Sequence, residues 1–206
     1  MRPRSVLPPT ALTLALLVAA LTVSASGAPP QIRIRDIDGR PLTPFEPAGS
    51  ANVIFFVLTD CPISNTFAPE IQRVCREYAP RGVGCSLMYE DLDIGSSEGT
   101  RESAVRAHLA EYGFGGMRAA IDGARTVANH AHASVTPQAI VVDRAGSIRY
   151  SGRINNFYAS LGRPRQQVTE HDLRDALDAV LAGRPVGKPE TQPLGCYIVD
   201  PALFRK

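Results

Sequence analysis

The chain has 206 residues, a formal net charge of +2, 44% hydrophobic residues and four cysteines. So small a charge leaves no basic excess to recruit nucleic acid, and the apolar content is that of a chain with a core to bury. Four cysteines allow three complete pairings.

Residues 1–25 read as an export signal. Arg2 and Arg4 supply a positive start, 11–23 is an almost unbroken apolar run, and Val23-Ser24-Ala25 offers small residues for cleavage. The run is shorter than the roughly 20 apolar residues of a membrane span; an uncleaved anchor is the competing reading. No cysteine follows it, so a lipid anchor is not indicated. Cleavage removes two arginines and no acid, which brings the net charge to about zero. The expected location is periplasmic or secreted, off the membrane once cleaved, in an oxidising compartment where cysteines pair.

Residues 29–186 read as one domain. Ile32, Ile34 and Ile37, broken by Asp38-Gly39 and then Pro41 and Pro44, predict a short hairpin on a sheet edge. The apolar run 53–58 predicts a buried strand. It ends at Asp60-Cys61-Pro62, after which Ser64 or Asn65 can cap a helix over 64–78 with Phe67, Ile71, Val74 and Tyr78 on its apolar face. Pro80-Arg81-Gly82 stops that helix. A strand over 83–89 follows, with Glu90-Asp91-Leu92-Asp93 as its solvated end, only superficially like a cation loop. After a Gly/Ser-rich loop, a helix opens near Thr100 with Val105, Leu109 and Tyr112 on one face. A short strand over 117–121, a short helix over 124–131, and a hairpin of 139–142 with 147–151 around Asp143-Arg144-Ala145-Gly146 come next. The last helix, 170–181, has Thr169 as a possible cap and Gly183 as its stop. Residues 187–206 are an irregular tail that carries Cys196. Alternating strands and helices, followed by a hairpin and a helix, predict an α/β chain with a central mixed sheet flanked by helices.

Cys61 is the candidate nucleophile. At a strand-to-helix junction, unpaired helix N–H groups and the helix dipole favour a thiolate and can lower a cysteine pKa below its free value of about 8.5. An exposed, electron-rich sulfur is expected there; a buried, inert cysteine is the alternative. Thr136-Pro137 stands at the entrance of the strand 139–142. Asp60-Cys61-Pro62-Ile63-Ser64, Val135-Thr136-Pro137 before Ala139-Ile140-Val141-Val142-Asp143, and the hairpin ending at Tyr150 together resemble the thioredoxin fold over about 32–181. The Cys-Pro-Ile-Ser-Asn…Pro-Glu stretch and Gly152-Arg153-Ile154-Asn155-Asn156 are similar to secreted redoxins of the peroxiredoxin-like and thiol-disulfide-oxidoreductase type. The resemblance implies a cis-proline at Pro137 facing Cys61 and presenting backbone to substrate. It also implies a protein disulfide or a peroxide as substrate and a separate thiol reductant as partner.

The chain departs from that pattern. Ser64 stands where thioredoxins carry a second cysteine, so a partner thiol must come from elsewhere. Leu58 and Ile54 stand where peroxiredoxins have threonine and proline; Thr59 is one place off, and either Arg125 or Arg153 could be the matching arginine. Cys196 in Leu194-Gly195-Cys196-Tyr197 is the candidate resolving cysteine, with a static staple or a free thiol as alternatives. Cys75 and Cys85, one late in a helix and one on the next strand, are the candidate structural disulfide. His130 and His132 could join Cys61 around copper or zinc, which would make the chain a non-enzymatic module binding metal or a partner through the Cys61 loop; no other cofactor is indicated. His108 and His171 read as surface groups. Asp60 or Glu70 could shuttle a proton to the thiol or remain solvated, and Phe157 and Tyr158 could line a groove or close the core.

Overall fold

The computed structural model describes residues 31–91 and 98–200. The export reading of 1–25 lies outside them, as do Asp93 and the end of the tail. Among the described residues no helix is long and apolar enough to cross a membrane.

The chain begins with a small hairpin, β1 (Ile34–Arg35) and β2 (Pro41–Leu42). Ile37 N–H donates to the Ala119 carbonyl at 2.9 Å, which ties this hairpin to a sheet edge. β3 (Ala51–Val57) is the central strand. It runs parallel to β4 (Val83–Tyr89), which runs parallel to β5 (Arg118–Ile121). On its other side β3 pairs antiparallel with β7 (Gln138–Asp143), after the two-residue β6 (Val135–Thr136), and β7 pairs antiparallel with β8 (Ile148–Gly152). The order is β5-β4-β3-β7-β8.

β3 is apolar throughout because both of its faces are covered. Val53, Phe55 and Val57 share one core with Ile71, Val74 and Tyr78 of α2 (Ala68–Tyr78) and with Leu173, Ala176 and Leu177 of α5 (Asp172–Leu181). Val105 of α3 (Glu98–Glu111) joins them. Ile54 and Phe56 face a second core with Val127, Ala128 and Ala131 of α4 (Thr126–Ala131) and with Leu42 and Phe45.

Four local expectations change. The helix expected over 64–78 is two, α1 (Pro62–Thr66) and α2, broken at Phe67. Pro69 has no N–H to donate back into the preceding turn, so the ladder is interrupted there. The first cap is neither Ser64 nor Asn65: Cys61 itself is the N-cap, and its sulfur accepts the Ser64 N–H. α5 is capped at His171 rather than Thr169. The tail is not wholly irregular. A further hairpin, β9 (Tyr158–Ser160) with β10 (Arg163–Pro164), precedes α5, and the tail itself carries β11 (Cys196–Tyr197).

Cys75 on α2 and Cys85 on β4 are joined, with their Cα atoms 6.0 Å apart. The bridge ties α2 to the strand beneath it. Closing a ten-residue separation restricts the unfolded chain by about 2–3 kcal/mol. The double substitution Cys75→Ala/Cys85→Ala is expected to lower the unfolding free energy by that amount in a urea titration; an unchanged midpoint would show that the bridge stabilises nothing.

Candidate functional site

The three parallel strands end level with one another, since Val57, Tyr89 and Ile121 are in register. Beyond that line lie Thr59, Glu90 and Asp122. Polar groups gather there because strand ends leave backbone groups to satisfy. Thr59 N–H donates to Asp91 at 3.1 Å, and the Thr59 hydroxyl donates to the same carboxylate. The loop that carries Cys61 is therefore pinned to the end of β4.

Asn65 holds the loop from the other side. Its side-chain N–H₂ donates to the Thr59 carbonyl at 3.2 Å, and its backbone N–H donates to the Cys61 carbonyl at 2.9 Å. Its side-chain oxygen lies 2.9 Å from His108 Nε2. That oxygen can only accept, so Nε2 carries the proton and Nδ1 accepts from the Tyr89 hydroxyl at 2.9 Å. Burial lowers the His108 pKa against the opposing pull of Asp91 and Glu111, in keeping with a neutral ring. His108 is thus a buried strut under the Cys61 loop, not a surface group.

Glu90, expected in solvent, is buried with a side chain 0% exposed. Arg125 Nη1 approaches it at 3.3 Å. Burial and the neighbouring Asp122 nevertheless push its pKa up to about 9, against the opposing effect of Arg125. Asp122 Oδ2 accepts the Val127 and Ala128 N–H groups at 2.9 and 2.8 Å, which caps α4.

Cys61 is 1% exposed, against the expectation of an open sulfur. The tail covers it. Cys61 and Cys196 form a disulfide, with Cα atoms 6.1 Å apart. The Cys61 sulfur lies 3.4 Å from Ser64 N–H and 3.3 Å from the Thr136 carbonyl oxygen. The Thr136-Pro137 bond is cis. Cys61, Ser64, Pro137 and Cys196 thus converge on one spot. The hydroxyls of Ser64 and Thr136 are both buried there without a hydrogen-bond partner.

Cys196 gets there by strand pairing: β11 runs antiparallel to β6, with Cys196 opposite Thr136 and Tyr197 opposite Val135. Upstream, the tail is fastened to β8. Ser151 N–H donates to the Pro189 carbonyl at 2.9 Å, and Thr191 N–H donates back to the Ser151 carbonyl at 3.1 Å. The Thr191 hydroxyl meets that of Tyr150 at 2.6 Å and accepts Arg153 N–H at 3.1 Å. Between the fastenings, the half-buried Leu194 borders a narrow slot with Phe67, Pro137, Arg153, Ile154, Asn155 and Tyr158, so Tyr158 does line a groove. A wider cleft of about 410 Å³ adjoins it, lined in part by Phe67, Asn155 and Phe157.

The remaining candidates lie apart from the sulfur's contacts. Arg153 is engaged by Asp172 and Glu170, both at 2.7 Å, and Arg125 by Glu90. Burial raises the Glu70 pKa, but hydrogen bonds from Arg174 and Arg73 outweigh it and hold the carboxylate ionised. Asp60, His130, His132 and His171 are exposed. Among the described residues no group of three His, Cys, Asp or Glu side chains could hold a metal ion.

No protein-family model matches the chain, and no curated protein does. Solved structures do. A hypothetical protein of Sinorhizobium meliloti matches with a TM-score of 0.68 and 26% identity over 82% of this chain and 90% of its own. An uncharacterized conserved protein of Geobacillus kaustophilus matches with a TM-score of 0.67 and 25% identity, covering 83% and 88%. A secreted Mycobacterium tuberculosis disulfide oxidoreductase, described as homologous to E. coli DsbE, matches with a TM-score of 0.50 and 14% identity, covering 74% and 96%. With the sheet order above, these likenesses give the chain a thioredoxin-like fold.

The buried Glu90 makes stability depend on pH. Its folded pKa lies above the usual 4.5 of an unfolded glutamate, so the folded state holds a proton that the unfolded state releases. Its contribution is therefore full below about pH 4.5 and lost as pH rises toward 9. Glu90→Gln keeps a neutral side chain at every pH. Urea titrations at intervals across that window are expected to show a shallower decline in stability for the variant; parallel curves would contradict a protonated Glu90.

Proposed function

We propose that the chain is an exported thiol–disulfide oxidoreductase in which Cys61 is the nucleophile and Cys196 resolves it. The observation that carries this reading is the Cys61–Cys196 bridge beside the cis Thr136-Pro137 bond. Two disulfides in one chain support an oxidising compartment, as does the signal-like segment 1–25. The structural neighbour from M. tuberculosis is described as secreted and as a disulfide oxidoreductase.

In the reducing direction, the Cys61 thiolate attacks one sulfur of a substrate disulfide. The substrate S–S bond breaks, one substrate thiolate leaves, and a mixed disulfide forms on Cys61. The Cys196 thiolate then attacks the Cys61 sulfur and expels the second substrate thiolate, which leaves the Cys61–Cys196 bridge. An external dithiol returns both cysteines to thiols. Ser64 N–H is placed to hold the thiolate's charge.

Peroxide reduction is the less supported chemistry for the same sulfur. The Thr59 hydroxyl is committed to Asp91, and Arg153 is committed to Asp172 and Glu170, which leaves neither to polarise a peroxide. Metal binding through the Cys61 loop has no ligand cluster among the described residues to support it.

Turnover of a model protein disulfide with a dithiol reductant tests the reading. Cys61→Ser is expected to abolish turnover. Cys196→Ser is expected to accumulate substrate attached to Cys61, seen as a mass shift that reductant removes. Full turnover by Cys61→Ser would overturn the assignment.

A further inference from the structure

The way the tail is seated carries information about what else can sit there. Its pairing with β6 uses backbone groups alone, and Ile198 N–H extends the ladder to the Ser134 carbonyl at 2.9 Å. Each position around Cys196 is constrained differently. At Gly195 a Cβ would overlap the Thr136 carbonyl oxygen and lie 2.6 Å from its carbon. That obstacle is backbone, next to a proline, and cannot swing aside as a side chain would. At Leu194 the half-buried side chain borders a narrow slot whose other walls are Phe67, Pro137, Ile154 and Tyr158 together with Arg153 and Asn155, so an apolar side chain suits that position. At Tyr197, by contrast, the side chain is 77% exposed and the site asks nothing of it.

We propose that these constraints are a recognition code: the site takes an extended protein segment of the form apolar-Gly-Cys-any, bound along β6 in the place the tail now occupies. The proposal rests on the exchange reading above and names its substrate class. The tail is then a built-in copy of the substrate. Substrate and tail exclude one another from β6, so the return of Cys196 to Cys61 also displaces the strand it resolves. The fastening at Pro189 and Thr191 keeps the displaced arm close by, because those bonds do not involve β6.

The test uses the full chain carrying Cys196→Ser, reduced, with synthetic peptides whose cysteine is joined to 5-thio-2-nitrobenzoate. The Cys61 thiolate attacks the peptide sulfur, a Cys61–peptide disulfide forms, and the coloured aryl thiolate leaves. A parallel Cys61→Ser/Cys196→Ser chain gives the background to subtract. Acetyl-Leu-Gly-Cys-Tyr-amide is expected to react at least tenfold faster than its Leu-Ala-Cys-Tyr counterpart and several-fold faster than Ser-Gly-Cys-Tyr, whereas replacing the final Tyr by Ser changes little. Adding Gly195→Ala to the Cys196→Ser chain loosens the tail and is expected to speed capture of the Leu-Gly-Cys-Tyr peptide at least threefold. Rates for the glycine and alanine peptides within twofold of each other would overturn the code, and no effect of Gly195→Ala would overturn the tail as competitor. The free aryl disulfide, 5,5′-dithiobis(2-nitrobenzoate), separates the two levels. If Cys61 reacts with it but does not distinguish the peptides, the code falls and the exchange chemistry stands; if Cys61 reacts with neither, both fall.

Discussion

Two residues of strand hold this site together. β11 against β6 is the shortest of pairings, yet it sets the Cys196 sulfur on that of Cys61 across 135 residues of sequence. It works because β6 leads directly into the cis-proline, which brings the Thr136 carbonyl to within 3.3 Å of the Cys61 sulfur. Gly195 lets the tail come close enough, since any larger residue would strike that same carbonyl group. The core of the protein serves this arrangement by fixing the ends of β3 and β7, from which the Cys61 loop and β6 project.

Beneath the disulfide, a run of side-chain contacts replaces the regular hydrogen bonding that a loop lacks. Tyr89, His108 and Asn65 form one chain that ends on the Thr59 and Cys61 carbonyls, and Asp91 holds Thr59 from the side. Their burial adds to rigidity, because in a low-dielectric setting an unmade bond is costly and each group is therefore held to its partner. Glu90 and Asp122 follow another logic. Two carboxyls lie side by side with the Arg125 guanidinium near them, and burial keeps one of them protonated.

Much of the fold was legible in the sequence because its signals are local. The apolar run 53–58 reads as a two-faced strand, the i, i+3, i+7 spacing of Ile71, Val74 and Tyr78 reads as a helix, and Thr136-Pro137 reads as a strand entrance. The break at Phe67 had a signal too, in Pro69, but apolar periodicity passes through it unchanged. The burial of His108 and Glu90 was not legible. What buries each is a partner 19 to 43 positions away for His108 and 32 or more for Glu90, and nothing in the residues beside them announces it. The tail strand was equally hidden: two residues have no period, and Gly195 reads as a loop residue until the Thr136 carbonyl appears next to it. Cysteine number alone could not choose among three pairings.

In the oxidised chain the tail sulfur, and no other, closes over Cys61. Proteolysis of the oxidised chain after alkylation of free thiols, followed by mass spectrometry without reductant, tests it directly. The expected result is one linked pair of peptides containing Cys61 and Cys196 and a second containing Cys75 and Cys85. A Cys61 peptide recovered alkylated, or joined to Cys75 or Cys85, would contradict it.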